Sequence, residues 1–124
     1  MGLKFYVCEK CGNLVEMIKE SGMPMICCGQ NMTEIVPNTK DAALEKHVPC
    51  ISVDGCKVEV NIGEEPHPMT EDHYIEWIAI ETKCGSEIKY LKPHDTPKAC
   101  FMLSKDDEFV AAYAYCNIHG LWKK

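Results

Sequence analysis

A chain of 124 residues holds one ordinary domain or two small ones and leaves no room for a catalytic architecture of several hundred residues. Its 46% hydrophobic and 26% charged residues match an average folded protein, which excludes a disordered segment and a fibrous repeat. Against 19 Asp and Glu stand only 13 Lys and Arg, so the net charge of −6 argues against nucleic acid as a partner.

Four of the nine cysteines lie in the first 28 residues, ahead of the polar, proline-containing stretch Val36-Pro37-Asn38-Thr39-Lys40-Asp41. That stretch predicts a boundary between two domains, residues 1–36 and 37–124. The first is below the size of about 40 residues at which apolar packing alone normally holds a fold, so a metal, disulfides or association must add to it. Residues 40–46 are rich in Ala, Leu, Glu and Lys, all good helix formers, and predict a helical turn or two. Beyond them the pattern turns to β, with short strands predicted at 48–53, 56–62, 74–82, 87–92, 99–103 and 109–116. Asp54-Gly55 separates the first two as the central pair of a tight hairpin, while Cys84-Gly85-Ser86 and Lys92-Pro93-His94-Asp95 mark later turns. The expected fold is all-β, a small N-terminal domain followed by an antiparallel, immunoglobulin-like sandwich. The longest apolar runs, 78–80 and 111–114, fall far short of the roughly 20 residues that cross a bilayer, so no membrane span is expected. Residues 1–9 carry no apolar run ending in a small-residue cleavage site, and the protein is read as cytoplasmic.

An odd number of cysteines in such a chain points to metal rather than disulfides, because a reducing compartment keeps ordinary thiols reduced. Cys8-Glu9-Lys10-Cys11-Gly12 is a knuckle in which two thiolates reach one ion while the glycine permits the sharp backbone return. Fifteen residues further on, Cys27-Cys28-Gly29 completes a tetrahedral set of soft ligands. The plainer alternative is a group of buried or redox-active thiols. Zinc and iron both accept four thiolates, and spacing leaves the choice between them open. Adjacent ligands cannot both sit in a relaxed knuckle, so a distorted tetrahedron is expected. Knuckle, spacer and Cys-Cys-Gly together resemble desulforedoxin, a small non-haem iron electron carrier of the rubredoxin-like kind, over residues 1–36. That resemblance implies one iron held by Cys8, Cys11, Cys27 and Cys28, cycling between ferric and ferrous states with no open position for substrate.

Four of the five histidines have unusual neighbours: Glu45-Lys46-His47-Val48-Pro49, His67-Pro68-Met69, His73-Tyr74 and Cys116-Asn117-Ile118-His119-Gly120-Leu121-Trp122. A histidine at a strand end is more often a hydrogen-bonded surface or core residue than a ligand. The Cys-x-x-His turn argues the other way, since it places a thiolate and an imidazole within reach of one ion. These segments, in this order, are similar to the motifs of superoxide reductase. Joined to the N-terminal module, the chain from Cys8 to Trp122 resembles the two-iron form of that enzyme, the desulfoferrodoxin family.

The resemblance implies that His47, His67, His73 and His119 supply four equatorial imidazoles to a second, square-pyramidal iron, with Cys116 as the axial thiolate. The position opposite the sulfur is then open in the ferrous state, and the implied reaction is the one-electron reduction of superoxide to hydrogen peroxide. Lys46 is given the role of attracting the anion and organising a proton-delivering water, and Glu45 that of filling the sixth position of ferric iron. On the residues alone, the favoured reading is that both are solvated charges on a short helix, the usual fate of such residues. A net charge of −6 nevertheless repels superoxide at long range, so fast arrival requires a local positive field. Also implied are rubredoxin or a similar electron donor, a homodimer, and an anaerobic or microaerophilic prokaryotic setting. Two rival classes are an electron-transfer protein without catalysis and a zinc-stabilised interaction module. Cys50, Cys56, Cys84 and Cys100 lie outside the motifs and are expected to pack as small buried hydrophobes. His94 is expected to be exposed in its turn, and Trp77 and Trp122 to line the core or the site wall.

Overall fold

In the computed structural model, which describes residues 2–40, 42 and 44–124, short strands form two compact units that divide between Val36 and Pro37. The first unit has β1 (Phe5–Val7) between β2 (Leu14–Glu16) and β5 (Thr33–Glu34) in an antiparallel sheet, and a separate hairpin of β3 (Ile26–Cys27) with β4 (Gln30–Asn31). Strands of two or three residues bury little, and Phe5 is the one strand residue here that is fully buried. Turns therefore place Cys8, Cys11 and Cys28, with Cys27 at the end of β3.

The second unit opens with α1 (Leu44–His47), a single turn that stops at His47 because Val48 precedes Pro49 and is pushed out of the helical region. Two antiparallel sheets follow. One is β6 (Pro49–Asp54), β7 (Lys57–Ile62) and β10 (Lys98–Met102), in the order β10-β7-β6. The other is β8 (Ile75–Thr82), β9 (Gly85–Tyr90), β11 (Phe109–Cys116) and β12 (Gly120–Lys123), in the order β12-β11-β8-β9. Strict alternation along β7 turns Val58, Val60 and Ile62 inward and Lys57, Glu59 and Asn61 outward. Those inward residues join Phe101, Ile78 and Ile80 in one core that also contains Cys116. The fold is thus all-β, two sheets closed on a shared apolar layer.

Four expectations shift. The helix is shorter than 40–46, beginning at Leu44; Asp41 and Ala43 of that range lie outside the described residues. The first hairpin turns one residue late: Asp54 pairs with Lys57, leaving Gly55 and Cys56 as the loop, with φ of +60° at Gly55 alone, as a type II′ turn requires. β12 was not expected, since four residues behind a turn carry too little pattern to show. Finally, the four extra cysteines are not core residues. Cys56 and Cys84 are exposed in two-residue hairpin loops, and Cys50 and Cys100 are half-buried. The core positions beside them belong to Pro49 and to Ala99 and Phe101. His94 is exposed, at φ +74°, and Trp122 is fully buried.

Candidate metal centres

In the first unit, the knuckle is closed by two backbone bonds, Cys8 N–H to Asn13 O and Gly12 N–H to Cys8 O, each 2.8 Å. Gly12 takes φ +83°, which a side chain would oppose. Opposite it, Cys28 and Gly29 form the loop of the β3–β4 hairpin with φ of +52° and +75°. This explains how neighbouring cysteines serve one site. In an extended strand Cys27 and Cys28 would point to opposite faces, whereas the left-handed turn brings Cys28 Sγ to 4.0 Å from Cys27 Sγ. Cys11 Sγ lies 3.6 Å from Cys27 Sγ, and all four sulfurs are within 4.8 Å of one another. A tetrahedron of metal–sulfur bonds near 2.3 Å has edges of about 3.8 Å, so the cluster is already of ligating size. The Cys11 backbone N–H, followed by that of Lys10, lowers the Cys8 thiol to about 6. Hydrogen bonding to Cys11 and then Cys8 raises Cys28 to about 12. Four adjacent thiols thus cannot ionise together without a cation to replace their protons.

The second group is assembled from four places in the sandwich. His47 ends α1, His67 and His73 lie in the connection between β7 and β8, Cys116 ends β11, and His119 sits in the turn before β12. Register along β11 shifts between Tyr115, opposite Trp77, and Cys116, opposite Ile75. Such a bulge re-aims the residue that follows it, here a thiol that is 0% exposed. Ligand atoms of His47, His67, His73 and Cys116 all lie within 4.8 Å of one another. His119 joins them through Nδ1, 3.0 Å from His47 Nε2.

The four rings form a square. Going round it, centroids are 4.6 Å apart from His47 to His67, 4.7 Å to His73, 5.0 Å to His119 and 4.8 Å back to His47. Each ring stands at 75° to 86° to the next, and the His47–His73 diagonal is 6.2 Å. His67 Nδ1 is 2.7 Å from the Pro68 carbonyl, which can only accept, so Nδ1 carries the proton and Nε2 keeps its lone pair. Both His67 Nε2 and His73 Nε2 are buried with no hydrogen-bond partner among the described residues. Buried nitrogens left that way are costly unless a cation takes their lone pairs. Burial, then the neighbouring histidines, pushes His67 down to about 4, and burial lowers His73, so both rings are neutral as ligation requires. Burial raises the Cys116 thiol, while the His119 and Ile118 backbone N–H groups pull the other way; the first lies 3.4 Å from its sulfur. Trp122 stacks on His47 at 4.8 Å and donates from Nε1 to His119 O at 3.2 Å, walling one corner.

Lys46 is half-buried beside His47, close enough to depress the His73 proton affinity slightly, and Glu45 is exposed. Their backbone is tied down by the turn after β7: Glu65 N–H donates to Glu45 O, and Gly63 N–H to Val48 O, both at 3.1 Å. A Cβ on Gly63 would sit 2.7 Å from Lys46 Cα and O and collide with Glu65 O, and its φ is +85°. Sequence reading did not single out Gly63; a glycine closing a β-rich run was the available signal. Trp77, 8% exposed, stacks on Tyr115, its partner across β8 and β11, at 5.6 Å. Among the described residues, no helix is long and apolar enough to cross a membrane.

Known proteins share this arrangement. The family described as desulfoferrodoxin matches residues 39–124, and the desulfoferrodoxin N-terminal domain matches residues 2–35. A desulfoferrodoxin homolog of Archaeoglobus fulgidus is 46% identical, covering 98% of this chain and 95% of its own. The desulfoferrodoxin of Nitratidesulfovibrio vulgaris is 42% identical over 97% of this chain and 94% of its own. Among solved structures, the superoxide reductase of Treponema pallidum superposes with a TM-score of 0.84 at 35% identity, covering 100% of this chain and 99% of that one. Two matched segments that between them carry both ligand sets, and relatives alike from end to end, establish that this chain belongs to the desulfoferrodoxin family.

Proposed function

We propose that the protein is a superoxide reductase, converting superoxide and two protons to hydrogen peroxide with one electron from the four-histidine, one-cysteine centre. The observation that carries this reading is the square of imidazoles, two of whose buried Nε2 atoms have no hydrogen-bond partner among the described residues, beside a fully buried thiol. Likeness from end to end to the superoxide reductase of Treponema pallidum supports the same reaction. Iron bound there would supply the electron and a binding place for a small anion. His47, His67 and His73 would hold it through Nε2, His119 through Nδ1 and Cys116 through Sγ.

The rings and thiol fix the charge. Four neutral imidazoles and one thiolate leave a single positive charge on a ferrous site, favourable to an anion. The His119 backbone N–H stabilises negative charge on the fully buried sulfur. Lys46 would draw superoxide in against the overall charge of −6 and hold a proton-delivering water at the rim, while Glu45 would offer its carboxylate to the oxidised metal. Residues 1–36 act as a desulforedoxin-like domain whose four-cysteine iron carries electrons or braces the fold, and residues 37–124 as the catalytic domain. Rubredoxin or a similar carrier restores the electron, and the protein works as a cytoplasmic homodimer.

A pulse of superoxide delivered to the reduced protein tests this. Superoxide should disappear with an equal amount of hydrogen peroxide and no dioxygen, and Cys116→Ser should abolish both the reaction and the sulfur-to-iron charge-transfer band. Dioxygen release as in dismutation, or zinc at both centres of protein from its native source, would overturn the reading.

A further inference from the structure

Four of the five ligands of the catalytic centre come from two segments far apart in sequence: the connection leading into β8, which carries His67 and His73, and the Cys116–His119 turn between β11 and β12. A site of this kind works only if such loops are held to about half an ångström. One side chain spans them. Asn117 Oδ1 accepts the Tyr74 N–H at 2.9 Å, and its Nδ2 donates to the Asp72 carbonyl at 3.0 Å. Its own backbone N–H donates to the Tyr74 carbonyl at 3.2 Å. The carboxamide therefore grips the peptide groups on both sides of His73, from a position next to Cys116. The reverse orientation of the amide would face donor with donor and acceptor with acceptor, so the bonding pattern fixes it. From its other side the His73 loop is closed by Thr70, whose N–H donates to His73 O at 3.0 Å and whose Oγ1 accepts the His73 N–H at 3.2 Å.

We propose that Asn117 is a positioning residue of the catalytic centre, clamping the His73 loop to the Cys116–His119 turn so that four imidazoles and one thiol meet at a single ion. Its side-chain bonds go to the backbone on either side of His73, and it acts through that backbone. Only a side chain with one donor and one acceptor on a short planar group satisfies both partners. Aspartate has the same shape but turns an acceptor toward the Asp72 carbonyl, and alanine offers neither bond. Asn117 is exposed, so replacing it removes no core packing.

The inference rests on the iron-centre reading above, and its test separates the two. Full-length protein loaded with iron at both centres is exposed to a ferrous chelator, and timed samples are reoxidised and read at the bands that distinguish the centres. The four-cysteine iron serves as an internal reference in the same molecule. N117A and N117D should each lose catalytic iron about tenfold faster than the unmodified chain, with four-cysteine iron lost at an unchanged rate. N117D should do no better than N117A despite its matching shape. Wild-type retention in either variant, or equally faster loss from both centres, overturns the clamp while leaving the proposed reaction intact. Failure of the unmodified chain to hold iron at the histidine centre removes the reaction and the clamp together.

Discussion

The four-cysteine cluster draws all its ligands from a stretch between Cys8 and Cys28, on turns and one strand end of a unit whose strands bury one side chain, and Cys11 and Cys28 are exposed. The histidine centre draws on residues 47 to 119, with His47 and His119 separated by 72 positions, and His47, His67 and Cys116 are at most 3% exposed. Ligands close in sequence cost little loop entropy to bring together, so an ion can itself serve as the core. Distant ligands must be gathered by something else first. Here that is the apolar layer of the sandwich, of which Cys116 is a member. One centre is thus made by its metal and the other by the fold around it.

Stripping the metal should break the symmetry between the units most strongly. After chelation, backbone amides of residues 2–35 should lose hydrogen-exchange protection outright, while β7, β8 and β11 keep theirs. Protection surviving in the first unit, or collapse of both, would erase the distinction. Acid should sharpen it next. His67 is held near 4 in the folded protein against an ordinary value of 6.5, so the unfolded chain binds more protons across that interval. Stability of the metal-free sandwich from this group is therefore complete above about 6.5 and lost as pH falls toward 4, readable as a falling denaturation midpoint. A midpoint flat over that range would show that the ring is already open to water. The smallest effect concerns the rim. Lys46→Ala should slow superoxide consumption on the order of tenfold at low salt and flatten its ionic-strength dependence, with both metal spectra unchanged. An unaltered rate would leave Lys46 a solvated charge.

Much of this architecture was legible before any coordinates. The knuckle at Cys8 and Cys11 is a local pattern, and the alternation of Val58, Val60 and Ile62 writes a half-buried strand directly. Less legible were features decided across strands. The hairpin at Gly55 and Cys56 takes its register from pairing along the whole of β6 and β7, so the Asp-Gly signal was one residue off. Cys50 and Cys100 read as core candidates by composition, yet β6 and β10 give their core positions to neighbouring residues.

What the chain by itself determined is the inventory: which sulfurs and imidazoles exist, how the four cysteines are spaced, and, through its separated motifs, the family and its two centres. Tertiary structure alone decided the square of rings, the choice of nitrogen on His67, the glycine that lets the Lys46 backbone come close, and the Asn117 clamp. Each of these is a relation between segments that the chain keeps far apart. Spacing along a sequence constrains only what one turn or strand can reach, whereas angstrom-level placement follows from the closing of a packed core.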